Sequence, residues 1–286
     1  MMKYTRNLTK YAAGVCAFAL CMTAASAQAA TIIDENFQSQ TAGSNPVALA
    51  SSGTATPVGN VTTREDEPNG RIVQVVDSTT SPVDPFGPAG NKSLQLYSES
   101  TTATSVFFRS SSPGIASGAL SMNMMVTTTP TPGDVGPWFS VILGGTASNT
   151  FLGGNGTDGL ARIDFRSDSS ILIRANGGNF FADQTYTANT NYLLNIEFDA
   201  NTHLFSISLN GSPLTTGGGT ANSWTTLSTS LTSANALQVY GAASGTSTIR
   251  TGEAFVDNIL LTDVPEPASM ALLAAGGLLI TTRRRR

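Results

Sequence analysis

The chain has 286 residues, room for one or two domains, of which 40% are hydrophobic, 12% charged and 28 glycine. That is too apolar and too strongly patterned for a disordered chain, and too poor in Lys, Glu, Ala and Leu runs for a helical one. The net charge of −4 hides an asymmetry: with Lys3, Arg6, Lys10 and Arg283 to Arg286 at the ends, the middle holds eight basic and eighteen acidic residues, about −10, which excludes nucleic acid as a partner.

Residues 1–29 open with Lys3, Arg6 and Lys10, continue through an apolar stretch from about Tyr11 to Met22, and end in small residues. Ala27 and Ala29 have the small-x-small spacing that fits the two subsites of signal peptidase. This is the pattern of a secretory signal helix, with an apolar core too short for a stable membrane span. Both cysteines, Cys16 and Cys21, lie in it, so cleavage leaves a chain without disulfide, thiolate ligand or cysteine nucleophile.

From residue 30 to 263 apolar residues recur with period two. The pattern predicts strands at Ile72–Val76, Leu94/Leu96, Val106/Phe108, Leu120/Met122/Met124/Val126, Trp138–Leu143 and Ala161/Ile163/Phe165. It continues at Ile171–Arg174, Leu194/Ile196/Phe198, Phe205/Ile207/Leu209, Leu237–Tyr240 and Phe255–Leu261. The polar segment Asp199 to Thr202 turns one strand back on the next as a hairpin, and Asn210-Gly211 supplies the positive φ of another tight turn. About twelve strands separated by Gly/Ser/Thr/Asn loops predict one all-β domain, a two-sheet antiparallel sandwich. Asp34-Glu35-Asn36-Phe37 at the start, Tyr192 to Asp199, Phe205 to Gly211 and Phe255 to Leu261 at the close together resemble the concanavalin A-like (laminin G-like) jelly roll. The resemblance implies that the first and last strands pair.

The chain closes with Val264-Pro265-Glu266-Pro267, an apolar stretch from Met270 to Ile280 and then Arg283, Arg284, Arg285 and Arg286. The two prolines separate residues 264–286 from the body, and the apolar stretch predicts a short hydrophobic helix, little over half the roughly 20 residues of a comfortable span. The arginines would hold its end on the cytoplasmic side. This order resembles the PEP-CTERM sorting signal of Gram-negative bacteria. The resemblance implies export across the inner membrane, a tail held there until exosortase processes it, and a mature protein at the envelope, surface or matrix, often alongside exopolysaccharide or biofilm production. A permanent one-pass anchor is the alternative reading of the tail.

Chemistry-bearing patterns are sparse. The single histidine, His203, begins a hairpin strand, where a solvated surface residue is expected rather than a triad or metal ligand. Glu65-Asp66-Glu67 is contiguous and precedes a Pro-Asn-Gly turn, so its side chains would alternate between faces; Glu197 and Asp199 share the outward face of a strand. Neither is the facing carboxylate pair of a glycosidase, and no catalytic residue is assigned. No cofactor is required. A structural calcium would suit Asn155 and Asp158 in Asn-Gly-Thr-Asp-Gly, although turn chemistry selects the same residues. Trp138, Trp224, Tyr186 and Tyr240 are the aromatic candidates for stacking on a sugar, although a tryptophan in a β sandwich is more often core than platform. The composite expectation is an exported, non-catalytic module that binds glycan or exopolysaccharide. Its alternatives are a structural matrix protein without a ligand site and a jelly-roll glycan-cleaving enzyme.

Overall fold

A computed structural model of the chain describes residues 29–46, 60–64, 71–78, 86–87, 90–100, 104–110, 113–127, 136–145, 152, 159–241 and 250–264. The signal helix, the C-terminal helix, Ala27, Pro265 to Pro267, Arg283 to Arg286, Glu65 to Glu67, Asn155 and Asp158 all lie outside the described residues. One compact unit spans Ala30–Asp263. Among the described residues it holds no helix.

In chain order the strands are β1 (Thr31–Glu35), β2 (Asn60–Arg64), β3 (Arg71–Val76), β4 (Ser93–Ser100), β5 (Thr104–Arg109), β6 (Ser117–Val126), β7 (Pro137–Gly144) and β8 (Gly159–Arg166). They continue as β9 (Ser170–Ala175), β10 (Gly178–Thr185), β11 (Tyr192–Asp199), β12 (Leu204–Leu209), β13 (Ser212–Pro213), β14 (Trp224–Thr225), β15 (Ala236–Gly241) and β16 (Arg250–Asp263). One sheet runs β13-β12-β11-β6-β16-β4-β3, with β1 added on β16 and β14 on β12; the other runs β10-β9-β8-β7-β15-β5-β2. Pairing is antiparallel throughout these ladders, and the whole is the two-sheet sandwich expected from the alternation, with the jelly-roll form that the resemblance implied. The first and last strands pair, Glu35 standing opposite Ile259.

Period two decides which side chains fill the space between the sheets. Leu194, Ile196 and Phe198 of β11 and Phe205, Ile207 and Leu209 of β12 are buried in one cluster with Val106, Phe108, Leu120, Met122, Val141, Ile163 and Phe165. Burying each such side chain contributes about 1.5–3 kcal/mol, so the facing apolar rows hold the sheets together. The β11–β12 hairpin pairs from Leu194↔Leu209 to Asp199↔Leu204. Beyond it Asn210 (φ 50°) and Gly211 (φ 77°) make the left-handed turn into β13. Gly118 is needed for another reason: a Cβ there would collide with the Thr262 carbonyl oxygen, where β6 lies against β16.

The strands that the alternation missed are short or peripheral. β2 and β10 end their sheet, and β13 and β14 have two residues each. No residue of β10 is fully buried, so no apolar period marked it. Phe180 and Phe181 belong to β10.

Candidate functional site

The face of the seven-stranded sheet that points away from the core collects polar side chains from strands far apart in sequence. Residues directly opposite in an antiparallel ladder share a face, with Cβ atoms about 4.5–5.5 Å apart. The register therefore draws two rows across the sheet. One reads Ser105–Tyr240–Ser140–Asp164–Leu172–Phe181, the next Phe107–Gln238–Ile142–Arg162–Arg174–Asn179. Their chain neighbours Val106, Val141, Ile163 and Ile173 point the other way, into the core.

At the centre of this face stands Asp164, fully buried. Its Oδ1 accepts from Arg162 Nε at 2.7 Å and its Oδ2 from Arg174 Nε at 2.5 Å. One carboxylate thus lies between two guanidiniums, in a body that is strongly acidic overall. Arg174 keeps 26% of its side chain in solvent, so a guanidinium reaches the surface there. Beside it Asn179 and Phe181 are exposed, Phe181 to 53%, and the Arg166 guanidinium lies 5.0 Å from the Phe181 ring centroid. Arg166 also approaches Asp168 at 3.9 Å. Burial raises the Asp168 carboxyl, but hydrogen bonds from the Ser170 hydroxyl and N–H, with the Arg166 charge, bring it below its ordinary range.

Toward β15 and β5 the same face is closed and partly apolar. Phe107, Ile142, Leu152 and Ala236 form a small second cluster with Tyr240 packed against it. The Tyr240 hydroxyl donates to the Leu152 carbonyl at 3.3 Å. Within this patch Ser105 Oγ, Ser140 Oγ and Gln238 Oε1 are buried without a hydrogen-bond partner among the described residues. A buried orphan costs about 1–3 kcal/mol, and here three orphans share one face around one tyrosine.

The sequence candidates are distributed as follows. Tyr240 lies on this face. Trp138 is in β7, two residues before Ser140, and its side chain lies outside the described residues. Trp224 and Tyr186 are corrections: both are core residues and offer no ring face to a sugar. Trp224 is tilted against Phe205 at 5.8 Å, because β14 carries it onto β12 opposite Phe205. Tyr186 stands edge-on to Phe165 at 5.5 Å and donates its hydroxyl to the Arg166 carbonyl at 2.6 Å. Burial, and then the charges of Asp168 and Tyr192, push its phenol well above the ordinary value. His203 is half-buried in the turn before β12 with φ 57° and a buried, unpartnered Nδ1, so the expected solvated position is corrected.

Glu197 and Asp199 do share the outer face of the other sheet. Asp199 accepts from the Asn201 N–H at 2.8 Å and the Thr202 N–H at 3.3 Å, closing the hairpin turn. Burial raises its carboxyl, and these bonds with the His203 charge bring it below the usual range. Glu197 borders a shallow cavity of about 240 Å³ with Asn195, Ser206, Ser208 and Asn222, and no second carboxylate lines it. The arginines and buried hydroxyls of the seven-stranded sheet were missed because no local motif unites them; only the register does.

Against known proteins, no curated sequence matches this chain. Among solved structures, a sialidase superposes on 84% of this chain with a TM-score of 0.53 at 10% identity, this chain spanning only 19% of the sialidase. The catalytic domain of a glycoside hydrolase family 131 protein from Coprinopsis cinerea superposes on 83% of this chain and 96% of its own, with a TM-score of 0.51 at 13% identity. At such identities the likeness is one of fold. Residues 263–286 match the PEP-CTERM protein-sorting motif, so this chain carries a PEP-CTERM sorting tail, which implies export and sorting at the cell envelope through exosortase.

Proposed function

We propose that the protein is an exported envelope or matrix component of a Gram-negative bacterium whose β-sandwich binds glycan, without cleaving it, on the outer face of the seven-stranded sheet. Signal peptidase and exosortase would process its two ends, the tail being held in the inner membrane until then. The observation that carries the reading is the open end of the polar face, where a guanidinium, an amide and an exposed aromatic stand side by side at Arg174, Asn179 and Phe181. Stacking rings and fixed hydrogen-bonding groups are what a pyranose requires. Trp138, on the strand that carries Ser140, is a further candidate for the stacking role. The non-catalytic reading is supported by Asp164, whose two oxygens are each engaged by a guanidinium and so are poorly placed to move a proton.

The test is an array of neutral and acidic polysaccharides, including those of the producing bacterium, probed with the exported protein and with Arg174→Ala, Phe181→Ala and Trp138→Ala. Wild type binds, and at least one variant that keeps the β-type circular dichroism binds about tenfold more weakly, equivalent to 1.4 kcal/mol. Silence of the wild type across the array would leave a structural surface protein as the better reading.

A further inference from the structure

The basic residues of the acidic body are not spread evenly. Of its eight, Arg109, Arg162, Arg166 and Arg174 fall on the outer face of the seven-stranded sheet, each lying in one of the two rows or two residues along a strand from one. Arg174 is the one placed to meet a ligand. Its Nε donates to Asp164 Oδ2 at 2.5 Å, and Asp164 is fully buried. Its two Nη groups make no hydrogen bond among the described residues, while 26% of the side chain is in solvent. The guanidinium is thus held in place through Nε, with the planar fork of Nη donors unspent.

Two neighbours on β10 complete a small recognition surface. Asn179 stands directly opposite Arg174 in the ladder and is exposed, with an amide that can both give and accept a hydrogen bond. Phe181 follows two residues along on the same face, its ring 53% exposed and steadied by the Arg166 guanidinium 5.0 Å from its centroid. The acidic side chains on this side of the sheet are already engaged. Asp168, in the turn between β8 and β9, accepts from the Ser170 N–H and hydroxyl and lies 3.9 Å from Arg166. Asp183 of β10 accepts from the Gly218 and Gly219 N–H groups and the Thr215 hydroxyl.

A guanidinium matches a carboxylate in shape: two parallel N–H donors meet two oxygens, and such charge-assisted bonds are roughly twice as strong as neutral ones. An amide beside them suits ring hydroxyls, and an aromatic ring suits the apolar face of a pyranose. We propose that the sugar taken by this face carries a carboxylate, as a uronic acid does, with the Arg174 fork on the carboxylate, Asn179 on a hydroxyl and Phe181 against the ring. On the glycan reading given above, on which this rests, Arg174 is the residue that selects acidic from neutral sugar.

The experiment is calorimetric titration of the exported protein with galacturonate oligomers and with the same oligomers methyl-esterified, which keeps the ring and its hydroxyls and removes the charge. Wild type binds the acid at least about tenfold more tightly than the ester. Arg174→Ala, with the wild-type circular dichroism retained, brings that ratio close to one. Arg174→Lys keeps the charge but not the fork, and lowers the ratio severalfold. Phe181→Ala weakens acid and ester alike and leaves the ratio where it was. Equal affinity for acid and ester would overturn the proposal and leave the glycan reading standing, and so would a ratio unchanged in Arg174→Lys. Binding of neither oligomer would overturn it as well, and the glycan reading falls with it only if the polysaccharide array is also silent.

Discussion

Asp164 is the residue on which the polar face depends. With its carboxylate removed, Arg162 and Arg174 face each other as directly paired residues on neighbouring strands, and Arg162 is buried. Breaking a buried ion pair from one side typically costs 3–5 kcal/mol, because the partner's charge stays behind without compensation. The partial exposure of Arg174 discounts this, since its guanidinium can swing into water. Asp164→Ala should therefore cost about 3 kcal/mol in urea unfolding, and Arg174→Ala clearly less. Pairing the two substitutions in a double-mutant cycle should give a coupling above 0.5 kcal/mol. Equal costs for the two single variants would show that the triad is not held as described.

Elements differ in how plainly the sequence announces them. Strands with one face buried and one wet, such as β6 and β11, read directly from alternation, because burial selects every second side chain. In β8 the apolar set Ala161, Ile163 and Phe165 was legible, but nothing local marks the intervening Arg162 and Asp164 as buried; their burial involves ladder neighbours on β7 and β9 that local sequence does not reveal. β10 was illegible as an edge strand and is held partly by side-chain bonds. Its Asp183 accepts from the Gly218 and Gly219 N–H groups at 2.9 and 2.7 Å and from the Thr215 hydroxyl at 2.9 Å, pinning the glycine loop between β13 and β14. Those three bonds, the Gly218 one first, hold its carboxyl below the ordinary value of 3.8. A carboxyl depressed in the folded state contributes stability that is fully present above its unfolded pKa and is lost as pH falls through the folded one. Asp183→Asn should accordingly lower the urea midpoint at pH 7. The gap to wild type should persist to about pH 5 and close as the pH falls below about 4. A gap that stayed constant down to pH 2 would mean that the carboxylate's charge is not what the loop uses.

At the scale of the whole molecule, the body and the sorting tail were both legible, because each is written in a contiguous pattern. The candidate faces were not: Ser105, Ser140, Asp164, Arg174 and Gln238 span much of the domain in sequence and meet only through the register of five strands. Register likewise sets Glu35 of the first strand opposite Ile259 of the last. That pairing also shows where the sandwich is complete. The β16 ladder runs to Asp263 opposite Gly118, and the Asp263 N–H donates to the Ala30 carbonyl at 2.8 Å. Val264, the next residue, is outside the strand and exposed, and the compact unit ends with the ladder. Deleting residues 264–286 should therefore leave the strand ladders of the sandwich whole and shift its Tm by less than about 2 °C, the scale of 0.5 kcal/mol in a domain of this size. The same deletion should change the protein's distribution among membrane, surface and medium fractions, since the sorting motif is gone. A large loss of Tm would mean that the tail is part of the fold. Unchanged fractionation with an intact body would mean that sorting information resides in the sandwich, and its polar face would then be the first place to look.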